Sequence, residues 1–498
     1  MLKRFVAVAL CLLLFLGNSA LADSSFSMAG FDGEKSEHDW SNNGFFTRME
    51  ARTGITFTYA QYTSYTEWQA AKESTMFAEG GRLPDVLFKA ALTTQELIRY
   101  TDSGQLIDLA PLLEENAPYL WALLQQHPDW LAAITLPNGK IGALPCIQEQ
   151  APQNPIWINQ DWLKKLGLSM PTDLDSLRQV LTAFRNKDPN GNGKKDEIPL
   201  AFLGPWELKF LSHAYGVAVN DYNIYLDDDD QVHFWPLEDS FIQLAQTLHD
   251  FYQEGLIDPN GFQTADIMRK VSDEDAAVTY GAFFAPTPLN LLPTSMAKSY
   301  GVLDPLIYNG RQVYRDLFGQ VTTGAFAITS ACQDPAALLR WVNMLYTPNG
   351  AAEAMAGIQD EDYEMDAEGR WSWKGGLESM SLSRYSQISL YDTGVMPWLF
   401  PQSFYERYAD DELMRLNGEL KRFSTYVRQP YPQLSLTAEQ RRQVLALQDG
   451  LGEYVDTMLA RFVLGEVALT QENIDAFHQR LNDLGAQEMA AFWQALLP

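Results

Sequence analysis

IWINQDWLKKLGLSMPTDLDSLRQVLTAFRNKDPNGNGKKDEIPL, residues 156–200, is the stretch whose reading decides the fold. Trp162, Leu163 and Leu166 recur at helical spacing. Gly167 and Leu168 follow as the glycine and apolar residue of a Schellman close. Thr172, with Asp175 three positions on, predicts the cap of a second helix. Its buried face is Leu174, Leu177, Val180, Leu181 and Phe184. That helix runs into Asp188-Pro-Asn-Gly-Asn-Gly-Lys-Lys-Asp-Glu197. Counted from Asp188, side-chain oxygens fall at positions 1 (Asp188), 3 (Asn190), 5 (Asn192) and 9 (Asp196). Gly193 stands at 6 and the Lys194 carbonyl at 7. This is the ligand order of an EF-hand loop, where alternate residues point inward and glycine allows the sharp turn. Hard oxygen donors without His or Cys suit Ca²⁺ better than Mg²⁺. Position 12 is Pro199 instead of the bidentate Glu, so Glu197 has to supply the last carboxylate. A polar turn without metal is the competing reading. With all ligands in one loop, the ion's role is structural.

Working outward, Ser25–Gly30 reads as a buried strand, Phe45–Ala51 as a helix closed by Gly54, and Ile55–Tyr59 as an alternating strand. A helix from Thr66 to the glycines at 80–81 and a strand over Leu83–Phe88 follow. Strand and helix alternating at this pitch predict an α/β lobe with a largely parallel sheet, whose ligands meet the carboxyl ends of the strands. An Asn-Gly hairpin at 136–145 leads to a crossing between lobes at 146–155, and prolines 286 and 288 mark the return. Asp227–Asp230, between two short strands, reads as a solvated turn rather than a metal site. Asp334-Pro335 starts a helix. Thr437 and Gln440 form a capping box, and helical periodicity runs from Gly350 to the end.

A chain of 498 residues needs two or three cores. Lys3 and Arg4, the apolar run Phe5–Leu16 and Ala20-Leu-Ala22 read as a cleavable export signal, residues 1–22. The run is too short to span a bilayer comfortably. No cysteine follows the cleavage site to carry a lipid, which points to a soluble periplasmic or secreted protein. Cys146 and Cys332 read as small buried hydrophobes, with pairing as the alternative. The formal net charge of −28 falls to about −30 once the leader's two cations are gone. With no basic cluster to offset it, that field excludes nucleic acid and anionic membrane as partners. No nucleophile elbow, zinc-protease helix or phosphate loop is present, so no catalytic residues are assigned.

Sugars offer C–H faces that pack on flat rings and hydroxyls that need polar partners. Of 13 tryptophans, Trp40, Trp157, Trp206 and Trp398, with Tyr280 and Phe284, fall at expected strand ends or in loops. These six are the candidate ligand-binding residues. Core packing is the competing reading for each.

Several of these stretches together resemble the extracellular solute-binding proteins of carbohydrate ABC importers, especially the calcium-containing branch that includes alginate-oligosaccharide-binding proteins. The landmarks are Glu50–Gly54, Leu83–Val86, Gly139–Pro145, Asn159–Leu168, Asp188–Pro199, Glu254–Pro259, Ile358–Tyr363 and Phe462–Gly465. The Trp162 helix and the Asp188 loop are the specific ones. The resemblance implies an α/β, two-lobed, type II periplasmic-binding-protein fold, each lobe a largely parallel sheet flanked by helices, with a helical C-terminal region. The lobes are expected at 23–148 with 288–350, and at 149–287 with 351–498. The implied function is a non-enzymatic, monomeric receptor that captures an oligosaccharide by hinge closure and delivers it to a membrane permease. It implies Ca²⁺ on Asp188, Asn190, Asn192, the Lys194 carbonyl, Asp196 and Glu197. A secreted calcium-stabilised polysaccharide hydrolase or lyase, and a receptor serving a membrane sensor, are the alternatives. The acidic balance disfavours a polyanionic sugar unless arginines such as Arg311 or Arg384 line the cleft.

Overall fold

The computed structural model describes residues 24–33, 36–150, 153–262, 279–316, 320–375, 382–391, 395–432, 434 and 436–497. The expected leader lies outside them. The strands, in chain order, are β1 Ser24–Phe31, β2 Ile55–Tyr62, β3 Val86–Phe88, β4 Leu144–Ile147, β5 Ile156–Asn159 and β6 Ile198–Ala201. They continue with β7 Ile224–Leu226, β8 Val232–Phe234, β9 Tyr280–Phe284, β10 Tyr300–Val302, β11 Tyr314–Arg315 and β12 Val321–Ile328. β13 Tyr363–Met365, β14 Trp371–Trp373 and β15 Val427–Arg428 complete the set.

Two sheets define two lobes. The first has the order β2-β1-β3-β12-β4 and the second β10-β5-β9-β6. β1 pairs with β2 and β3 in parallel, while β12 runs antiparallel to β3 and β4. In the second sheet only β6 and β9 are parallel. Both sheets are therefore mixed: the first takes in β12, which returns from the second lobe, and in the second β5 runs antiparallel to both its neighbours. β1 approaches β3 closely at Gly30, where a Cβ would stand 1.7 Å from the Phe88 carbonyl oxygen, so only glycine fits.

Local signals were realised almost residue for residue. Gly167 adopts φ 68° and Leu168 donates its N–H to the Leu163 carbonyl at 2.9 Å, the Schellman bond. The next helix, Leu174–Asn186, is capped one residue later than expected, by Asp173 with Ser176 as its box partner. Asp173 itself has an extended backbone, which lets its short side chain accept the Ser176 N–H at 2.8 Å. Asp227–Asp230 is the turn of the β7–β8 hairpin. Asp334 caps the helix Pro335–Asn343, and Thr437 and Gln440 close a capping box on the helix Ala438–Leu464.

The lobe boundaries differ from expectation at two places. β10, assigned in sequence to the first lobe, is bonded antiparallel to β5, and Tyr300 packs on Phe283 in the second core. The described residues between 351 and about 408, assigned to the second lobe, are packed in the first. Ala354, Leu390, Trp398 and Tyr408 share its core, and Leu399 bridges to β4 at Ile147. From Leu416 onward the helices join the second core. The chain thus crosses between lobes around 148–155, 303–320 and 409–415. The return expected near 285–290 lies later.

Candidate functional site: the carboxyl ends of the two sheets

The three crossings join the lobes at one end of each sheet. On the first lobe this is the carboxyl end of β1, β2, β3 and β4; on the second it is the carboxyl end of β6 and β9 and the start of β5. β4 and β5 lie next to the crossings, and β2 and β6 form the far edges of their sheets.

On the first lobe, this edge is held by a buried ion pair. Asp32, just past β1, and Lys89, just past β3, are both fully buried and lie 2.5 Å apart. Asp32 also takes hydrogen bonds from Ser36 Oγ at 2.7 Å and Gln61 Nε2 at 2.9 Å, and lies 2.9 Å from His38 Nδ1. Burial pushes the Asp32 carboxyl up, but His38 and the Lys89 ammonium outweigh it and hold the group well below the usual carboxylate range. Lys89 and Ala91 adopt φ of 51° and 47°, strained for residues with a Cβ. Bonds from Ala90 and Leu92 N–H to the carbonyls of Ala325 and Gly324, both 3.0 Å, pin this segment. Beyond β2, Ser64 caps a helix that begins with Tyr65, which is 44% exposed and packs edge-on against Phe31.

On the second lobe, β6 ends in a turn that starts the helix Pro205–Leu208. Glu207 is fully buried and accepts hydrogen bonds from Leu203 N–H at 2.7 Å and Asn154 Nδ2 at 2.6 Å. Burial pushes its carboxyl up to about 7. The Asn154 carbonyl in turn accepts the Tyr314 hydroxyl at 2.8 Å. One buried chain of hydrogen bonds therefore links the first crossing, the second crossing and the β6 turn. Its neighbour Trp206 is 42% exposed and rests edge-on against Phe210. Arg315 lies over the Phe210 ring itself, 4.9 Å from its centroid, and pairs with Asp221 at 2.7 Å.

The crossings form the floor. Gln153 Nε2 donates to Asp316 Oδ1 at 3.1 Å, and Gln320 Nε2 to the Glu149 carbonyl at 2.6 Å. A cavity of about 330 Å³ opens here, between Asp129, Glu149, Gln153, Asp316, Gln320 and the Ser424–Gln429 segment. A larger one, about 550 Å³, adjoins it at Glu149 and runs along the outer edge of β4 past Glu353, Tyr363, Phe400 and Arg407.

Of the six aromatics expected to bind ligand, only Trp206 is exposed. Trp40 (1% exposed) packs among Phe46, Tyr59 and Phe88. Trp157 is fully buried, its Nε1 donating to the Ala285 carbonyl at 2.8 Å. Trp398 packs on Tyr391 and Phe400, Phe284 on Phe210, and Tyr280 on Phe283. These five are core residues, because their strands and loops are covered on both faces. Tyr65 was missed: its signal was an aromatic directly after a serine cap at a strand's carboxyl end. Arg311 pairs with Asp228 at 3.1 Å on the second lobe, and Arg384 is half-buried in the helix Leu382–Ile388 on the first.

The oxygen-rich loop is at the opposite end of β6. The Asp188 carboxylate accepts N–H bonds from Gly191, Asn192 and Gly193 at 2.9–3.1 Å, folding the loop around it. Gly193 has φ 74° at the turn. Asn190 and Asn192 both converge on Asp196, at 2.9 Å. Glu197 Oε1 is buried without a hydrogen-bond partner, and burial, then Asp188 and Asp196, push its carboxyl up. Among the described residues no three His, Cys, Asp or Glu side chains are gathered as a metal cluster. The fit to an ion therefore rests on carboxylates combined with amide and carbonyl oxygens. A buried carboxylate oxygen without a hydrogen-bond partner, pushed up by the charges of Asp188 and Asp196, is what a hard cation satisfies. Lys165 Nζ donates to the Pro189 carbonyl at 2.6 Å, tying the loop to the helix Gln160–Leu166. Cys146 and Cys332 are both free thiols. No helix among the described residues is long and apolar enough to cross a membrane.

The chain matches no protein-family model. It is 26% identical over 469 residues to the fructooligosaccharide ABC transporter substrate-binding protein FusA of Streptococcus pneumoniae, covering 90% of this chain and 85% of that one. The structure of FusA with kestose superposes with a TM-score of 0.71 at 23% identity, over 95% of this chain and 98% of that chain. An extracellular solute-binding protein from Bifidobacterium longum subsp. infantis gives 0.78 at 20% identity, over 95% and 97%. The alginate-binding protein AlgQ2 gives 0.68 at 19%, over 95% and 97%. The fold is that of the two-lobed solute-binding proteins, and the resemblance read from the sequence is borne out. These relatives are binding proteins, not enzymes.

Proposed function

We propose that this chain is the substrate-binding component of an ABC importer, which captures an oligosaccharide between its lobes and presents it to a membrane permease. The observation that carries the reading is the placement of Tyr65 and Trp206. Each is an exposed aromatic at the carboxyl end of the far-edge strand of its own sheet, and both ends open toward the crossings. A sugar chain reaching from the floor to the far edges of the two sheets meets one flat ring from each lobe, and its hydroxyls meet the amides and carboxylates of the floor. A ligand that contacts both lobes favours the closed arrangement by its differential affinity for it. The kinship with FusA along nearly the whole chain supports the same role. Export from the cytoplasm, by the leader at residues 1–22, follows from this role.

The 188–197 loop is read as a structural calcium site using Asp188, Asn190, Asn192, the Lys194 carbonyl, Asp196 and Glu197. A FusA variant described as an EF-hand mutant was solved with fructo-nystose, which supports such a loop in a relative. Here the loop sits at the start of β6 and Trp206 beyond its end, a strand length of roughly 10 Å or more away. The ion fastens the second lobe and stays out of the ligand's reach. Tryptophan fluorescence titrated with an oligosaccharide panel tests the main reading: saturable change with at least one glycan is expected. Response to peptides and to no glycan would refute it.

A further inference from the structure

The fold serves both a kestose-bound protein and an alginate-binding one, so the charge of the sugar has to be read from the residues. On the basis of the binding role proposed above, we infer that the site selects uncharged oligosaccharides and rejects uronates. The floor cavity is lined by three carboxylates, Asp129, Glu149 and Asp316, and four glutamines, completed by Ser424 and Val427. No Lys or Arg is among the described lining residues. In sequence, 148–155 (QEQAPQNP) and 316–320 (DLFGQ) carry no cation; the cations of the crossings are Arg311 and Arg315 in the second and Arg415 in the third.

Arginines on or beside these segments have partners of their own, Arg415 with Glu412 at 2.6 Å among them. Arg428 Nη1 donates to the carbonyls of Thr425 and Val427 at 3.0 and 2.7 Å. Arg311 pairs with Asp228 at 3.1 Å, and Arg315 with Asp221 at 2.7 Å. Arg407, in the adjoining larger cavity, gives its Nε to the Ser403 carbonyl at 2.8 Å, and Glu149 and Glu353 line the same cavity. Hydroxyl groups donate to carboxylates and exchange both kinds of bond with glutamine amides, so a neutral sugar satisfies this lining. A uronate carboxylate brought here finds no cation among the described lining residues and has three like charges to face. Glu149 and Asp129 are exposed, so this repulsion is screened by salt.

The test is calorimetric titration of the mature protein with matched trisaccharides: galactan against galacturonate, glucan against glucuronate, mannan against mannuronate. Each is run in low salt and in high salt. The expected result is binding of at least one neutral trisaccharide, its uronate counterpart at least tenfold weaker, and a gap that narrows in high salt. In the double variant Asp129→Asn, Glu149→Gln the neutral-to-uronate ratio should shrink several-fold. A uronate bound as tightly as its neutral partner would overturn the inference and leave the carbohydrate-binding role standing. An unchanged ratio in the double variant would overturn the assignment to these carboxylates. If no sugar of either class binds, it is the binding role itself that fails.

Discussion

Glu207 makes the second lobe's stability depend on pH in a direction that can be worked out in advance. The residue is fully buried, and burial raises its carboxyl from the ordinary 4.5 to about 7. Below 4.5 it is protonated in both folded and unfolded chains, and its contribution to stability is complete. As pH rises from 4.5, the unfolded chain releases the proton first and is stabilised relative to the folded one. The loss is complete above about 7. The gap corresponds to about 3 kcal/mol. Glu207→Gln removes the titration while keeping an acceptor for Leu203 N–H. Its new amide can donate to Asn154 once that side chain turns over. Urea unfolding, followed by a probe on the second lobe from pH 4 to pH 9, gives the difference between variant and wild type. That difference should move in the variant's favour by about 3 kcal/mol between pH 4.5 and 8. A pH-independent difference would refute the argument, because Glu207 would then titrate alike in both states.

Other outcomes follow from the same structure. His213 is fully enclosed, accepts Leu306 N–H at Nδ1, and is held by burial down to about 3, so its contribution is intact above pH 6.5 and lost as pH falls below it. Acid unfolding of a His213→Gln variant should accordingly be less steep between pH 6.5 and 4. Chelation, or Asp188→Ala, should lower Tm by several degrees while sugar affinity stays within twofold, checked by scanning calorimetry and titration. If neither treatment moves Tm, the calcium assignment is wrong. Trp398→Ala and Trp157→Ala should each cost about 3–5 kcal/mol in denaturant unfolding, as emptied core sites do. Lys89→Met strands the Asp32 carboxylate and should destabilise the first lobe by roughly 3–5 kcal/mol, with the loss partly recovered when Asp32→Asn is added.

What was legible in the sequence was local. The Gly167 close, the Asp334-Pro335 start and the Thr437 box each depend on a few adjacent residues and need no knowledge of the rest of the chain. The oxygen spacing of the 188–197 loop is local for the same reason. Burial is not local. Trp40, Trp157 and Trp398 stand at strand ends or in loops, as expected of ligand-stacking residues. Each is covered by segments far away in sequence, Trp398 by a core built from residues between 26 and 408. The boundaries failed for a related reason: which lobe residues 351–408 join is decided by the Leu399–Ile147 bridge and by packing against β4. Helical periodicity alone does not carry that information. Tyr65 escaped notice because a single aromatic after a serine has no pattern until the two sheets are set end to end.

The central claim is that one ligand is held from both lobes at once. Calorimetric titration of a single bound oligosaccharide against wild type, Tyr65→Ala and Trp206→Ala tests it most directly. Both side chains are more than two-fifths exposed, so neither change should alter folding. Each variant is expected to lose about fivefold to thirtyfold in affinity, in keeping with a stacked ring worth roughly 1–2 kcal/mol. Unaltered affinity in both variants, with binding otherwise intact, would contradict it.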